Sequence, residues 1–275
     1  MVISQPSGVL RWPLIRLTDK AAHVVEPVAQ VLYSRILGND EVPNEDSLLV
    51  EFDETNLFSL NRFPGHDRYE TGLRANLGVN YTRYDPAGWN LGATLGRVLK
   101  TETDQAFAEG SGLRPRNSDY VAAVSLELPD RLGVVGRSLF DSTFAFKRGE
   151  FEVDYTSDPF DIALGYTFLK ADDSDPVLGP VPEQQELALN SRYRVARHWE
   201  LTGEWRYDLA AKRNIYAEAG VTYGNECITA QLVVGRRFTS VPDVPPSTEI
   251  AFDVELAGFG GRRSEGWPTR SCRGN

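Results

Sequence analysis

Residues 72–81 read GLRANLGVNY. Leu73, Ala75, Leu77, Val79 and Tyr81 fall on one side; Arg74, Asn76, Gly78 and Asn80 fall on the other. A helix repeats every 3.6 residues and would mix these two sets, whereas an extended strand separates them. Such a strand sets one face against an apolar medium and the other against water.

The same alternation recurs along the chain. In LTGEWRYDL (201–209), Leu201, Gly203, Trp205 and Tyr207 oppose Thr202, Glu204, Arg206 and Asp208. EFEVDY (150–155) and IAFDVEL (250–256) repeat it. Strands are expected near 8–17, 25–35, 69–83, 88–100, 119–129, 133–141, 148–156, 160–170, 185–195, 199–208, 214–223, 227–239 and 248–258. Alternation is poor at 133–141, and no segment carries an amphipathic helical pattern.

The connections alternate too. DPAG (85–88), PDRL (129–132), SDP (157–159), ARH (196–198) and GNE (224–226) are short. Between them fall longer segments at 36–68, 100–119, 142–147, 171–183, around 209–213 and at 240–247. A soluble sandwich has no reason to gather its long loops at one end. A transmembrane β-barrel has short periplasmic turns and long extracellular loops, and its strands need only about 9–11 residues to cross. The fold class expected is therefore all-β, an antiparallel transmembrane β-barrel. The roughly thirteen strands are an odd number, and a barrel must close on itself in lipid. The chain is thus expected to be the C-terminal part of a larger barrel. Its expected organisation is an N-terminal strand and turn at 1–24, the barrel region at 25–260 with a long extracellular loop at 36–68, and a tail at 261–275.

Composition narrows the function. The chain has 275 residues, 41% of them apolar, and a net charge of −10. That charge argues against a nucleic-acid surface, which needs clustered Lys and Arg. No apolar run approaches the ~20 residues of a membrane helix. MVISQPSGVLRWPLIRLTDK at the start lacks the basic and apolar blocks of a secretory signal, so for an exported protein the front is expected to be missing.

The segment NEDSLLVEFDETNLFSLNRFPGHDR (44–68) follows neither period. LLVEF and NLF are too apolar for disorder, so the loop is expected to fold over or into the lumen. Asp53, Asn56, Arg62, Gly65, Asp67 and Arg68 are its candidate luminal or extracellular residues. Arg62 and Arg68 are expected to meet Asp53 and Asp67 in ion pairs. A general-base role for His66 beside Asp67 would need a nucleophile or water within hydrogen-bond reach, and adjacent loop side chains do not face each other. No catalytic role, cofactor or metal site is therefore expected. ADDSDP (171–176) lacks the glycine and ligand spacing of a Ca²⁺ loop. GFGGRR (258–263) has no helix after it, as a dinucleotide site requires. Trp12, Trp89 and Trp205 are read as interfacial or wall residues.

EPVAQVLYS (26–34), residues 44–81, SDYVAAVSLEL (118–128), YGNECITAQLVVGRRF (223–238) and IAFDVELAGFGG (250–261) together resemble the C-terminal region of the LPS-assembly protein LptD family. NLFSLNRFPGHDR (56–68) is the most specific block. The resemblance implies lipopolysaccharide insertion into the outer leaflet of the Gram-negative outer membrane. The sugars would pass through a polar lumen and the lipid through a lateral strand seam. It implies an LptE-like lipoprotein plug, and periplasmic bridge proteins reached through an N-terminal domain ahead of this chain. It also implies a disulfide at Cys227. The family carries a cysteine pair there, bonded to its N-terminal part, whereas here the doublet is Glu226-Cys227; an unpaired thiol or a bond to Cys272 are the other readings. The seam is expected to use the last strand, with Pro242, Pro245 and Pro246 limiting its pairing because proline donates no ladder bond. A passive porin-like channel is the alternative function.

Overall fold

The structure, a computed structural model, describes residues 2–37, 50–65, 68–104, 106–108, 110–129, 131–171, 182–240 and 245–256. Its strands are β1 (Val2–Ser4), β2 (Ser7–Arg11), β3 (Leu14–Thr18), β4 (Ala21–Leu37), β5 (Gly72–Tyr84), β6 (Asn90–Lys100), β7 (Tyr120–Leu128) and β8 (Leu132–Phe140). There follow β9 (Phe146–Ser157), β10 (Phe160–Leu169), β11 (Gln184–Ala196), β12 (Trp199–Asp208), β13 (Arg213–Gly224), β14 (Ile228–Arg237) and β15 (Ser247–Leu256). They form one sheet in which neighbours follow chain order. Each registered pair is antiparallel. Among the described residues β15 pairs only with β14.

The fifteen strands fill thirteen places, because β1, β2 and β3 lie end to end along β4. The expected 8–17 strand is broken at Trp12-Pro13, and Gln5-Pro6 makes the earlier break. Proline supplies no N–H, so each break falls where the ladder would lose a donor. Pro27, inside the long β4, answers the same constraint. Its carbonyl accepts the Trp12 N–H at 3.1 Å. In an antiparallel strand a residue's N and C=O face the same neighbour, so the donor Pro27 lacks would have faced the break.

The short connections are built as turns. In 85–88, Asp85 accepts the Gly88 N–H at 2.8 Å and Gly88 adopts φ +92. The contrast in loop length is weakest at the link 209–212, which is no longer than that turn.

The chain divides into two compact units. The first takes in β1–β7, nearly all of β8, and the ends of β9 and β10 next to the longer loops; the second takes in β11–β15 with the remainder of β9 and β10. In the first unit, one face of the sheet carries mainly apolar residues in cross-strand rows, with Leu77, Val79 and Leu95 exposed. Ala29, Leu77 and Arg97 form one row; Pro27, Val79, Leu95 and Ala122 form the next. In the second, Ile250, Phe252 and Val254 alternate with Glu249, Ala251 and Asp253, and Ile250 is 72% exposed. Aromatic pairs lie near the short turns: Phe160 on Tyr193 at 4.5 Å and Trp199 against Tyr223 at 5.0 Å.

Candidate functional site

The opposite face is polar, and in the first unit a strap of chain lies on it. β4 contributes Gln30 and Ser34, β5 contributes Arg74, Asn76 and Asn80, and β6 contributes Thr94. Asn76 Nδ2 donates to Gln30 Oε1 at 2.6 Å, and Thr94 Oγ1 to Asn80 Oδ1 at 3.0 Å. Residues 50–65 cover this face at the long-loop end. Phe52, Leu57 and Phe63 of the strap pack with Val98, Val121 and Leu139 of the strands and with Phe107 and Leu113 of 101–119. Leu57 is 0% exposed.

Two glycines make that approach feasible. Gly78 and Gly96 face each other across β5 and β6. A Cβ on Gly96 would lie 2.3 Å from Leu57 Cδ2 and 2.6 Å from the Leu77 carbonyl. A Cβ on Gly78 would meet the Phe58 ring at 2.9 Å. The wall is hollowed where the strap inserts.

A buried ionic cluster ties the strap to the strands. Arg62 Nη1 donates to both Glu70 carboxylate oxygens, at 2.9 and 3.0 Å. Arg62 Nη2 reaches the Leu57 carbonyl at 2.6 Å and Asn76 Oδ1 at 3.1 Å. Arg74 lies beside Glu70 at 3.7 Å and donates to the Leu60 carbonyl. Burial pulls the Arg62 guanidinium below its ordinary value while Glu70 opposes the shift; an arginine stays charged regardless. Nearer solvent, Glu54 pairs with Arg137 at 2.8 Å and Glu51 with Arg148 at 2.7 Å.

The ion pair of Arg62 differs from the one expected. Arg62 pairs with Glu70, not Asp53. Asp53 Oδ1 instead accepts from the Thr55 and Asn56 N–H groups at 2.8 and 3.2 Å, and Asn56 Nδ2 donates to the Glu51 carbonyl at 2.6 Å. A short acid beside a turn satisfies its own backbone before it reaches a distant cation. Arg68 lies over the Phe63 ring at 5.4 Å, and Gly65 is half-buried at a bend. His66 and Asp67 lie outside the described residues. Glu70, Arg74, Asn76 and the two glycines were not singled out in the sequence. The available signal was Arg74 on a strand's polar face, a charge that demands a partner.

The polar face of the second unit differs. Asn190, Glu204, Glu218, Gly235 and Glu249 form one row across β11–β15. Asp154, Asp161, Arg192, Glu204 and Glu218 line an open hollow. This is an open, mainly acidic surface. Cys227 precedes β14 and is not a free thiol; Cys272, the chain's other cysteine, lies outside the described residues. Of the proline group, Pro245 and Pro246 stand immediately before β15, Arg237 Nη2 reaches the Pro245 carbonyl at 3.5 Å, and Pro242 lies outside the described residues. Among the described residues no group of three or more His, Cys, Asp or Glu side chains could hold a metal ion. His198 is bonded to the Gly224 carbonyl at 2.8 Å, and His23 to Tyr81 at 2.9 Å.

A two-faced antiparallel sheet, apolar on one face and polar on the face that carries the strap, defines the class of β-barrel outer-membrane proteins. The chain belongs to the LptD family: the sequence model of that family, LPS transport system D, matches residues 2–199. It is similar to the LPS-assembly protein LptD of Acinetobacter baumannii, 26% identical over 258 residues, covering 88% of this chain and 30% of that protein. It is similar to those of Alcanivorax borkumensis (24% identical, 80% of this chain, 29% of that protein) and Yersinia pestis (22%, 88% and 33%). The chain therefore spans about a third of the length of the curated relatives it matches.

Proposed function

We propose that this chain is the C-terminal part of an outer-membrane barrel that inserts lipopolysaccharide into the outer leaflet. The family match over 2–199 carries the reading. The sheet supports it, because its two chemistries suit an amphiphile: the apolar face meets lipid and the polar face lines a lumen for sugars. The long-loop end is then extracellular, and the strap 50–65 lies inside the lumen mouth. The hollow on the second unit's polar face, with no strap described over it, is where an LptE-like lipoprotein plug would rest. Periplasmic bridge proteins would dock on a domain ahead of this chain, and a disulfide at Cys227 would join the short-turn end of β14 to another segment. The lipid would leave through a seam at β15. A passive porin would not account for the family match.

Depleting the complete protein in its host, with surface lipopolysaccharide followed by pulse labelling, tests the proposal. Newly made lipopolysaccharide should stop reaching the surface and return when the gene is restored. Undiminished delivery during depletion would overturn it.

A further inference from the structure

Arg97 stands on the wrong face for its charge. It lies near the long-loop end of β6, across from Leu77, with Leu95 and Leu99 as its same-face neighbours along the strand. Gly96 and Val98, on either side of it, face the strap. Arg97 thus belongs to the apolar face.

Its side chain is held in place. Nη1 donates to the Tyr120 hydroxyl at 2.7 Å and Nη2 to the Ser118 carbonyl at 2.8 Å. The guanidinium lies 4.2 Å over the Tyr120 ring, and Phe144 stacks on that ring at 4.7 Å. Phe144 is 65% exposed and adopts φ +62, a left-handed backbone unfavourable for a bulky residue. Asp141 enforces this conformation, accepting from the Thr143 and Ala145 N–H groups at 2.7 and 2.9 Å.

What the arrangement lacks is an anion. No carboxylate among the described residues forms an ion pair with Arg97. Asp119, whose field reaches Arg97, is paired with Lys147 at 3.0 Å. A guanidinium carries five N–H donors; two of Arg97's are engaged, its Nε–H is buried without a partner, and one proton on each Nη remains. The Tyr120 hydroxyl accepts from Arg97 and keeps its own proton to donate. The remaining Nη protons of Arg97 and the Tyr120 hydroxyl therefore lie side by side, next to an exposed ring and on the same face as apolar Leu77 and Leu95.

We propose that Arg97 and Tyr120 bind the phosphate of a phosphorylated glycolipid resident in the outer leaflet. The lipid's acyl chains lie along Leu77 and Leu95, and its sugar rests on Phe144. This rests on the outer-membrane reading, which puts the apolar face in lipid and the long-loop end at the headgroups. The site is on the outer wall, apart from any lumen route. Phosphate fits better than carboxylate, because it presents several acceptor oxygens to a donor pair of this kind.

The test uses the complete protein purified from outer membranes with its lipids, as wild type, Arg97→Gln and Tyr120→Phe. Retained lipid is read by native mass spectrometry. The probes are a phosphorylated glycolipid, the same glycolipid after phosphatase treatment, and inorganic phosphate. Wild type should retain the phosphorylated lipid about tenfold better than Arg97→Gln, since a charge-assisted bond is lost. Tyr120→Phe, which keeps the ring, should fall between them. Phosphatase-treated lipid should show no difference among the three proteins. Equal retention of the phosphorylated lipid by folded Arg97→Gln and Tyr120→Phe would overturn the proposal. Displacement by millimolar inorganic phosphate would overturn the headgroup assignment. Failure here while export stops on depletion would reject this site alone; export that continues undiminished through depletion would reject the reading beneath it.

Discussion

The Glu70 carboxylate receives three hydrogen bonds from Arg62: two from Nη1 at 2.9 and 3.0 Å, and one from its backbone N–H at 3.0 Å. Both side chains are sealed from solvent, with exposures of 0% and 1%. Removing one partner from such a pair leaves the other charged and buried. Glu70→Gln should cost about 3–5 kcal/mol. It should also expose residues 50–65 to protease in the folded complete protein. Unchanged cleavage would mean the apolar contacts alone secure the strap.

The glycine hollow gives a second test. Gly96→Ala should destabilise by about 1–3 kcal/mol through overpacking, because the new methyl meets both Leu57 and the Leu77 carbonyl. Leu57→Ala should cost about 2–5 kcal/mol as a cavity. Combined, they should cost less than their sum, since each relieves the other's misfit. Chemical-denaturant unfolding of the four proteins measures the coupling; strict additivity would show that the two do not touch.

Glu51 and Arg148 offer a control. They are as close as the buried pair, at 2.7 Å, but Glu51 is 69% exposed. An ion pair in water contributes about 0–1 kcal/mol. Glu51→Gln should therefore change stability far less than Glu70→Gln, and by less still at high salt.

Asp141 sets a pH dependence. The Thr143 hydroxyl, first, and the Ala145 and Thr143 N–H groups hold its carboxyl below the usual aspartate range. A carboxyl with a depressed folded value stabilises above its unfolded value and ceases to do so as pH falls through the folded one. The 141–145 turn should therefore protect its amides at neutral pH and loosen in acid, below about pH 4. Amide exchange should show this, and Asp141→Asn should remove the pH dependence. A turn equally protected at both extremes would discard the assignment.

Registered pairing of β14 and β15 begins at Arg237 and Ser247, immediately after Pro246. Replacing Pro242, Pro245 and Pro246 together in the complete protein should extend the ladder past Ser247 and slow lipopolysaccharide export. Pulse labelling at the cell surface measures it, and export at the normal rate would remove the prolines from the seam.

Strands were legible because period two survives when each face has its own solvent. β12, expected at 199–208, spans Trp199–Asp208. β8 was readable mainly from its flanking turns, since its Leu139 is drawn into the strap's core while Arg137 on the same face pairs with Glu54. The break in β2–β3 was written in Pro13, although its effect depends on which neighbour each backbone group faces. The strap's partners were not legible. Arg62 lies eight residues from Glu70 in sequence but meets it only because the chain doubles back, and nearby Asp53 was the simpler guess. Local spacing carries no information on a pairing set by the path of a loop.

The length of β4 has a further meaning. Its 17 residues, at about 3.4 Å each, make a strand of about 58 Å. Tilted by about 45°, it would still rise about 41 Å, against an apolar band about 25 Å tall. On the proposed reading this stretch of wall cannot end level with the lipid. At its far end Arg35, Ile36 and Leu37 run on past the last residue paired with β5, held among the described residues by β1 alone, so whatever arrives from the medium there meets upright backbone first.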